Sequence, residues 1–268
     1  MKKFVLALTA LAAFAGSAVA ADLPARSYPA QAPVIAPAAP SWTGFYIFGG
    51  GGYGLFDSET YLTSAAGTRL TNTAKSGGDG YYGTFGGGYD WQSGSWVTGV
   101  FGDGQWGSIK GSITDPLFGS AVGIPGGTLG NLKNTASYAV GARIGYLVAP
   151  NVLSYVNGGY SYAQFDGSTQ SNVLGVNVTT TPSFHSNGWF LGGGVENSLT
   201  FFGLFGPGWF MKTEYRVAEY QNTTLPESFA PGIGTGLTGL SITEKPIVQT
   251  VGTSLVYRFN WGGTAVHY

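Results

Sequence analysis

From Trp42 onward, apolar and polar residues tend to alternate with a period of two, the signature of half-buried β-strands. Turn residues divide this pattern into eight predicted strands, at 42–54, 81–91, 96–107, 134–148, 152–165, 186–200, 208–220 and 247–259. In the last of them Val251, Thr253, Leu255, Tyr257 and Phe259 form one face, and Gly252, Ser254, Val256 and Arg258 the other. The fourth sets Tyr138, Val140, Ala142, Ile144, Tyr146 and Val148 against Ser137, Ala139, Gly141, Arg143 and Gly145. The seventh sets Met211, Thr213, Tyr215 and Val217 against Lys212, Glu214 and Arg216. A soluble sandwich buries its apolar face and exposes its charges. Here small and charged residues share a face, as the inside of a narrow barrel requires. The predicted fold is all-β: an eight-stranded antiparallel up-and-down transmembrane β-barrel over 42–268.

The predicted connections alternate in length. Gln92-Ser93-Gly94-Ser95, Ala149-Pro150-Asn151 and a segment ending Gly206-Pro207 are short, whereas the other four gaps are long and rich in Gly, Ser, Thr and Asn. Bacterial barrels place short turns in the periplasm and long loops outside. With an even strand number, both termini are then expected to be periplasmic. Tryptophan placement fits this orientation: Trp42, Trp91, Trp96, Trp209 and Trp261 fall near one set of strand ends, Trp106 and Trp189 near the other, with Tyr53, Tyr81, Tyr160 and Tyr162. Two aromatic girdles at the membrane interfaces are expected, because indole and phenol rings are amphipathic.

Upstream of the alternating region, residues 1–20 have the form of a secretory signal peptide. Lys2 and Lys3 precede the apolar run from Phe4 to Phe14, and Ala18-Val19-Ala20 is an A-x-A cleavage site. Residues 21–41 form a Pro/Ala-rich segment, with prolines at 24, 29, 33, 37 and 40, and read as an extended periplasmic linker. Composition agrees with export to a membrane. Charged residues are only 9% of the 268 while apolar ones are 43%, and no later run is long enough for a membrane helix. Without Lys2 and Lys3 the basic residues number 10 against 13 acidic, a net −3, which argues against nucleic acid as a partner. No cysteine is present, so disulfide and thiol chemistry are excluded.

By strand parity the inward charges are Asp90, Asp103, Arg143, Glu196, Lys212, Glu214, Arg216 and Arg258, four of each sign. Eight strands enclose a space just wide enough for side chains, so these groups are expected to pair and close the lumen rather than conduct ions. Thr250-Val251-Gly252-Thr253-Ser254-Leu255-Val256-Tyr257 resembles the signal that the outer-membrane assembly machinery reads, carried by Thr250, Gly252, Leu255 and Tyr257. Gly49-x-Gly51-x-x-Gly54 imitates a dinucleotide fingerprint, but no helical pattern follows it. Of the two histidines, His185 and His267, only His185 lies near serines, Ser183 and Ser186, with no acid placed to orient it. No enzyme activity, cofactor or metal is expected.

Several stretches resemble alphaproteobacterial outer-membrane immunogenic proteins, a porin-family group of small OmpA-like barrels. They are Ser41-Trp42-Thr43-Gly44-Phe45-Tyr46, Gly86-Gly87-Gly88-Tyr89-Asp90-Trp91-Gln92, the hairpin from Arg143-Ile144-Gly145-Tyr146 to Tyr155-Val156-Asn157-Gly158-Gly159, Gly192-Gly193-Gly194-Val195-Glu196, Lys212-Thr213-Glu214-Tyr215-Arg216 and Tyr257-Arg258-Phe259. The resemblance spans nearly all of the chain after the leader, and departs from the family at Phe101 and Asp90. It implies a Gram-negative cell-envelope protein, abundant in the outer membrane and exposed to host immunity. The expected role is structural and surface-interacting, with outer-membrane lipids, lipopolysaccharide, the assembly machinery and host or periplasmic factors as partners. The alternatives are a small porin-like pore for passive solute transport, or haem or host-factor binding through loops that carry Tyr61, Arg69 and Lys75, Phe118 and Lys133, and Phe229 and Leu237.

Overall fold

The computed structural model describes residues 42–115, 128–172, 174–199, 205–206 and 208–259. The predicted leader at 1–20, the predicted linker at 21–41, Phe118 and Trp261 lie outside the described residues. The strands are β1 (Gly44–Ser64), β2 (Ala74–Ser93), β3 (Trp96–Asp115), β4 (Thr128–Ala149), β5 (Val152–Phe165), β6 (Ser168–Ser171), β7 (Asn177–Thr181), β8 (Phe184–Ser198), β9 (Trp209–Tyr220), β10 (Thr223–Phe229) and β11 (Leu237–Phe259). Every pairing is antiparallel, and β1-β2-β3-β4-β5-β8-β9-β11 closes into a ring through the β1–β11 ladder. This is an eight-stranded up-and-down barrel, as the alternation predicts.

The remaining strands extend the same wall. β6 continues β5 past Asp166-Gly167, β7 leads into β8 through Pro182-Ser183, and β10 continues β9 past Gln221-Asn222. Proline has no N–H for a ladder, so Pro182 suits such a break. Pairing persists across the other two, since Asp166 N–H donates to the Lys133 carbonyl and Gln221 N–H to the Asn187 carbonyl, both at short range (2.9 and 2.8 Å). Beyond the breaks the order β1-β2-β3-β4-β6-β7-β10-β11 again joins eight strands. The 21 residues of β1 cover about 70 Å of strand, or about 50 Å of height at a tilt of about 40°, roughly twice the ~25 Å apolar band of an outer-membrane barrel.

The described parts of the four long gaps are therefore mostly strand, a correction to the expected loops. Tyr61, Lys75, Lys133, Phe229 and Leu237 all sit in strands, and Arg69 alone of the described set lies in a connection, at 65–73. The physical reason is an inversion of the alternation. In the lower ring the outer face carries Phe45, Ile47, Phe85, Val100, Val140, Ile144, Val156, Leu191 and Leu255. Past the second aromatic band the apolar residues face inward instead (Phe56, Leu62, Ile109, Ile113, Leu132, Leu225 and Ile242), and polar residues face out. A barrel standing clear of lipid obeys the soluble rule, hydrophobic in and polar out.

Aromatic residues ring both ends of the apolar outer face. At the short-turn end Phe45 packs on Tyr89, Tyr89 on Trp91, Trp96 on Tyr146 and Trp209 on Tyr257, with centroids 4.7–5.2 Å apart. At the other end Tyr53 meets Tyr81, and Trp106 meets Tyr138, while Trp189 pairs in register with Tyr160. Trp91, Trp96, Trp106 and Trp189 are each about half exposed. Trp42 is different. It is fully buried inside the barrel mouth, so it cannot face lipid. It shares the even parity of the inward Tyr46 and Phe48, and Gly44 between them takes φ +137°, a backbone that turns the chain in beneath the barrel.

Candidate functional site in the barrel lumen

Inward side chains come from every strand of the lower ring, because each strand presents alternate residues to the lumen. All eight charges singled out by parity lie there: Asp90, Asp103, Arg143, Glu196, Lys212, Arg216 and Arg258 are buried, and the Glu214 side chain is 13% exposed. They form two groups. Near the short-turn mouth, Arg143 of β4 donates through Nε to Asp90 of β2 (2.9 Å) and through NH1 to Glu196 of β8 (3.1 Å), with a second contact from NH2 to Asp90. Arg258 of β11 faces the same two acids, donating to Glu196 from Nε and NH2 (2.9 and 2.7 Å) and to Asp90 from NH1 (2.7 Å). Two guanidinium groups and two carboxylates thus close a cycle across the lumen, without net charge.

Deeper in, Arg216 makes a two-pronged contact with Asp103, both bonds 2.9 Å, and also donates to Glu214 Oε1 (3.1 and 2.8 Å). Glu214 Oε2 accepts from the Tyr155 hydroxyl (2.8 Å) and Asn157 Nδ2 (2.9 Å), and lies 4.0 Å from Lys212 Nζ. Arg216, Lys212, Asp103 and Glu214 again sum to zero. Each cluster is neutral by itself, which matters because an unpaired buried charge costs several kcal/mol. Planar guanidinium forks suit carboxylates at this geometry, and three of the four cations are arginine.

Aromatic rings occupy the space around the charges. Trp42 lies under Arg258 (4.6 Å to the ring centroid) and against Phe210 (4.9 Å), and its carbonyl accepts from Arg258 NH1 (3.1 Å). Arg143 lies over Tyr46 and Tyr155 (4.5 and 5.2 Å). Arg216 lies over Phe190 (4.5 Å), which meets Phe101 edge-on (6.0 Å), and Lys212 Nζ sits 3.2 Å above Phe48. These aromatics are the part of the lumen that reading the charges alone overlooks. The signal was in the parity: Phe101 is two positions from Asp103, and Phe210 two from Lys212.

Glycine on facing strands leaves room for this filling. A Cβ at Gly99 would collide with Asp90 Oδ1, and one at Gly141 would come within 2.8 Å of the Phe190 ring. Beside the second cluster lie two small adjoining cavities, ≈ 10 and ≈ 20 Å³, both touched by Gln105, Arg216 and Thr250. Such volumes hold about one water each. Above them Phe165 stacks on Phe184 (4.9 Å) and meets Tyr220 and Phe56 (5.9 and 6.2 Å), which begins the apolar filling of the extended wall.

Of the other candidate residues only Thr250 borders the lumen charges, opposite Arg216 on β9. Thr250 points inward and Leu255 outward on β11, with Gly252 opposite Gly52 and Tyr257 opposite Ile47. His185 faces outward on β8, stacked on Tyr162 (5.6 Å). Among the described residues no group of three or more His, Cys, Asp or Glu side chains could hold a metal ion. The Gly49-x-Gly51-x-x-Gly54 run lies wholly within β1, so no helix follows it.

No family model and no curated protein matches the chain. Among solved structures it resembles the outer membrane protein OprG from Pseudomonas aeruginosa, at 12% identity and a TM-score of 0.52, over 82% of this chain and 99% of that one. Neisserial surface protein A (13% identity, TM-score 0.37, 81% and 98% covered) and Ail of Yersinia pestis (11%, 0.30, 78% and 99%) also match. The OprG likeness carries the conclusion that the chain has the fold of a small outer-membrane β-barrel.

Proposed function

We propose that this protein is an outer-membrane barrel with a structural and surface-interaction role, its lumen closed by paired charges. In this reading residues 1–20 direct export, 21–41 are the periplasmic linker, and the short turns and both termini are periplasmic. The long end then stands out among lipopolysaccharide, where it meets host factors. Lipid contacts the apolar outer face between the two aromatic bands, where the described residues carry no charge. Thr250, Gly252, Leu255 and Tyr257 serve as the assembly signal on the closing strand. The protein is a member of the immunogenic barrel family on the residues quoted for that resemblance, and it catalyses no reaction.

The observation that carries the closed-lumen reading is the pair of separately neutral clusters, interleaved with buried aromatic rings and beside cavities of one water each. A solute would have to break several charge-assisted bonds in a low-dielectric space to pass. The test is single-channel recording in planar bilayers together with liposome swelling, on the native protein and the Glu214→Ala, Arg216→Ala variant. The expected result is a silent native bilayer, and a variant that unfolds at lower temperature on semi-native gels. Stable unit conductance of the native protein would replace this reading with a pore.

A further inference from the structure

The extended end of the barrel holds a carboxylate that its surroundings do not balance. Glu244 of β11 points inward, fully buried, opposite Thr60 of β1 and Thr223 of β10. Among the described residues neither of its carboxylate oxygens accepts a hydrogen bond of normal length and angle, and the polar group that faces it is the Ser58 hydroxyl of β1. Among the described residues the wall around it supplies no cation. Inward residues of β1 are Phe56, Ser58, Thr60 and Leu62; β3 and β4 contribute Ile109, Ile113 and Leu132; β10 contributes Leu225 and a second buried acid, Glu227. The charged groups nearby are on the outer face and bound to one another, Lys245 with Glu219 (2.6 Å) and Lys75 with Glu59 (2.8 Å). Among the described residues every lumen cation lies in the two lower clusters, matched there by acids.

We propose that Glu244 is a proton-operated latch on the apolar plug of the long end: protonated it lets the plug close dry, and ionised it draws in water and loosens β10 and β11. The inference rests on the orientation proposed above only for saying that the latch senses extracellular pH. Burial pushes this carboxyl from its ordinary 4.5 up to about 7, against a smaller lowering by the Ser58 hydroxyl. The sign follows from which form the fold disfavours. A raised carboxyl pKa means the closed plug has its full stability below about pH 4.5 and loses it as pH rises to about 7, beyond which there is no further change. The Lys75 contact holds Glu59 below 4.5 and Glu59 holds Lys75 above 10.5, while the Glu219 carboxylate holds Lys245 above 10.5, so none of Glu59, Lys75 and Lys245 titrates in this window.

The test is amide hydrogen exchange of the whole protein in lipid nanodiscs between pH 5 and 8, corrected for the intrinsic rate. Between pH 5 and 7 the opening equilibrium of 237–246 and 223–229 should rise about fortyfold in total, and then level off. Glu244→Gln should abolish the slope, while Glu227→Gln and His185→Gln leave it in place. Flat exchange in the native protein overturns the proposal, as does a slope that survives Glu244→Gln or disappears with Glu227→Gln. Should Glu244→Gln not fold, carbon-13 titration of the native glutamate carboxyls decides: one resonance must titrate near 7, and its absence overturns the latch. The bilayer stays silent throughout this range because the lower clusters are untouched, so a failed latch and an open pore give different results.

Discussion

At the scale of single residues, the lumen shows how a buried charge is tolerated only as part of a closed set. Arg143 bonds two acids that Arg258 also bonds, so removing it leaves Asp90 and Glu196 with one partner between them. Arg143→Ala should destabilise the barrel by about 3–5 kcal/mol, the usual cost of breaking a buried pair on one side. The check is the urea unfolding midpoint in lipid vesicles. Arg143→Met with Glu196→Gln removes one charge of each sign and should recover much of that loss. Trp42 gives a second prediction, about place rather than energy. Brominated lipid quenches indoles that touch acyl chains. Among variants keeping one tryptophan, Trp91 and Trp96 should be quenched and Trp42 should not, since it lies buried against Phe210 and Arg258. Strong quenching of Trp42 would place it back in the girdle.

At the scale of strands, the period-two pattern located all eight barrel strands because lipid and lumen demand opposite chemistry on successive residues. It stopped short at their outer ends for a definite reason. Past Tyr53 and Tyr81 the apolar residues change faces, so a template of apolar-out and polar-in no longer fits Phe56, Leu62, Ile109 or Ile242. The glycine, serine and threonine content of these stretches imitates loops, although in a tall wall those residues are outward polar positions or spaces for inward rings. Gly111 is one, where a Cβ would strike Phe56. The lumen charges were legible by parity, whereas Trp42 was misplaced by treating an aromatic strand end as a girdle position. If the extensions are strands, backbone hydrogen bonds protect their lysines. In the proposed orientation, trypsin acting on intact cells should therefore cut after Arg69, in the 65–73 connection, and spare Lys75, Lys110, Lys133 and Lys245. Mass spectrometry of the released peptides checks this, and rapid cleavage at Lys110 or Lys245 would return those segments to loops.

At the scale of the whole barrel, the decisive property is how dry the interior is, and ionic strength reports it. Salt screens charges that water reaches: the Debye length falls from about 10 Å at 0.1 M to about 3 Å at 1 M, and exposed pairs weaken accordingly. Pairs sealed among rings are screened far less. The outward pairs Lys75–Glu59, Lys133–Asp166 and Lys245–Glu219 are partly or well exposed, and such pairs contribute about 0–1 kcal/mol each even at low salt. The eight lumen charges lie inside, where their bonds hold the wall of strands β2, β3, β4, β8, β9 and β11 together from within. Raising sodium chloride from 0.1 to 1 M should thus lower the unfolding free energy in lipid vesicles by no more than about 3 kcal/mol, the most that the three outer pairs together contribute. Arg143→Ala should show the same small slope from a lower starting point. A hydrated channel would behave otherwise, because its lining pairs would weaken with salt while its conductance rose with it. Unfolding in lipid that ignores salt, together with a bilayer that stays silent at every salt concentration, is the signature of a barrel packed shut by its own side chains.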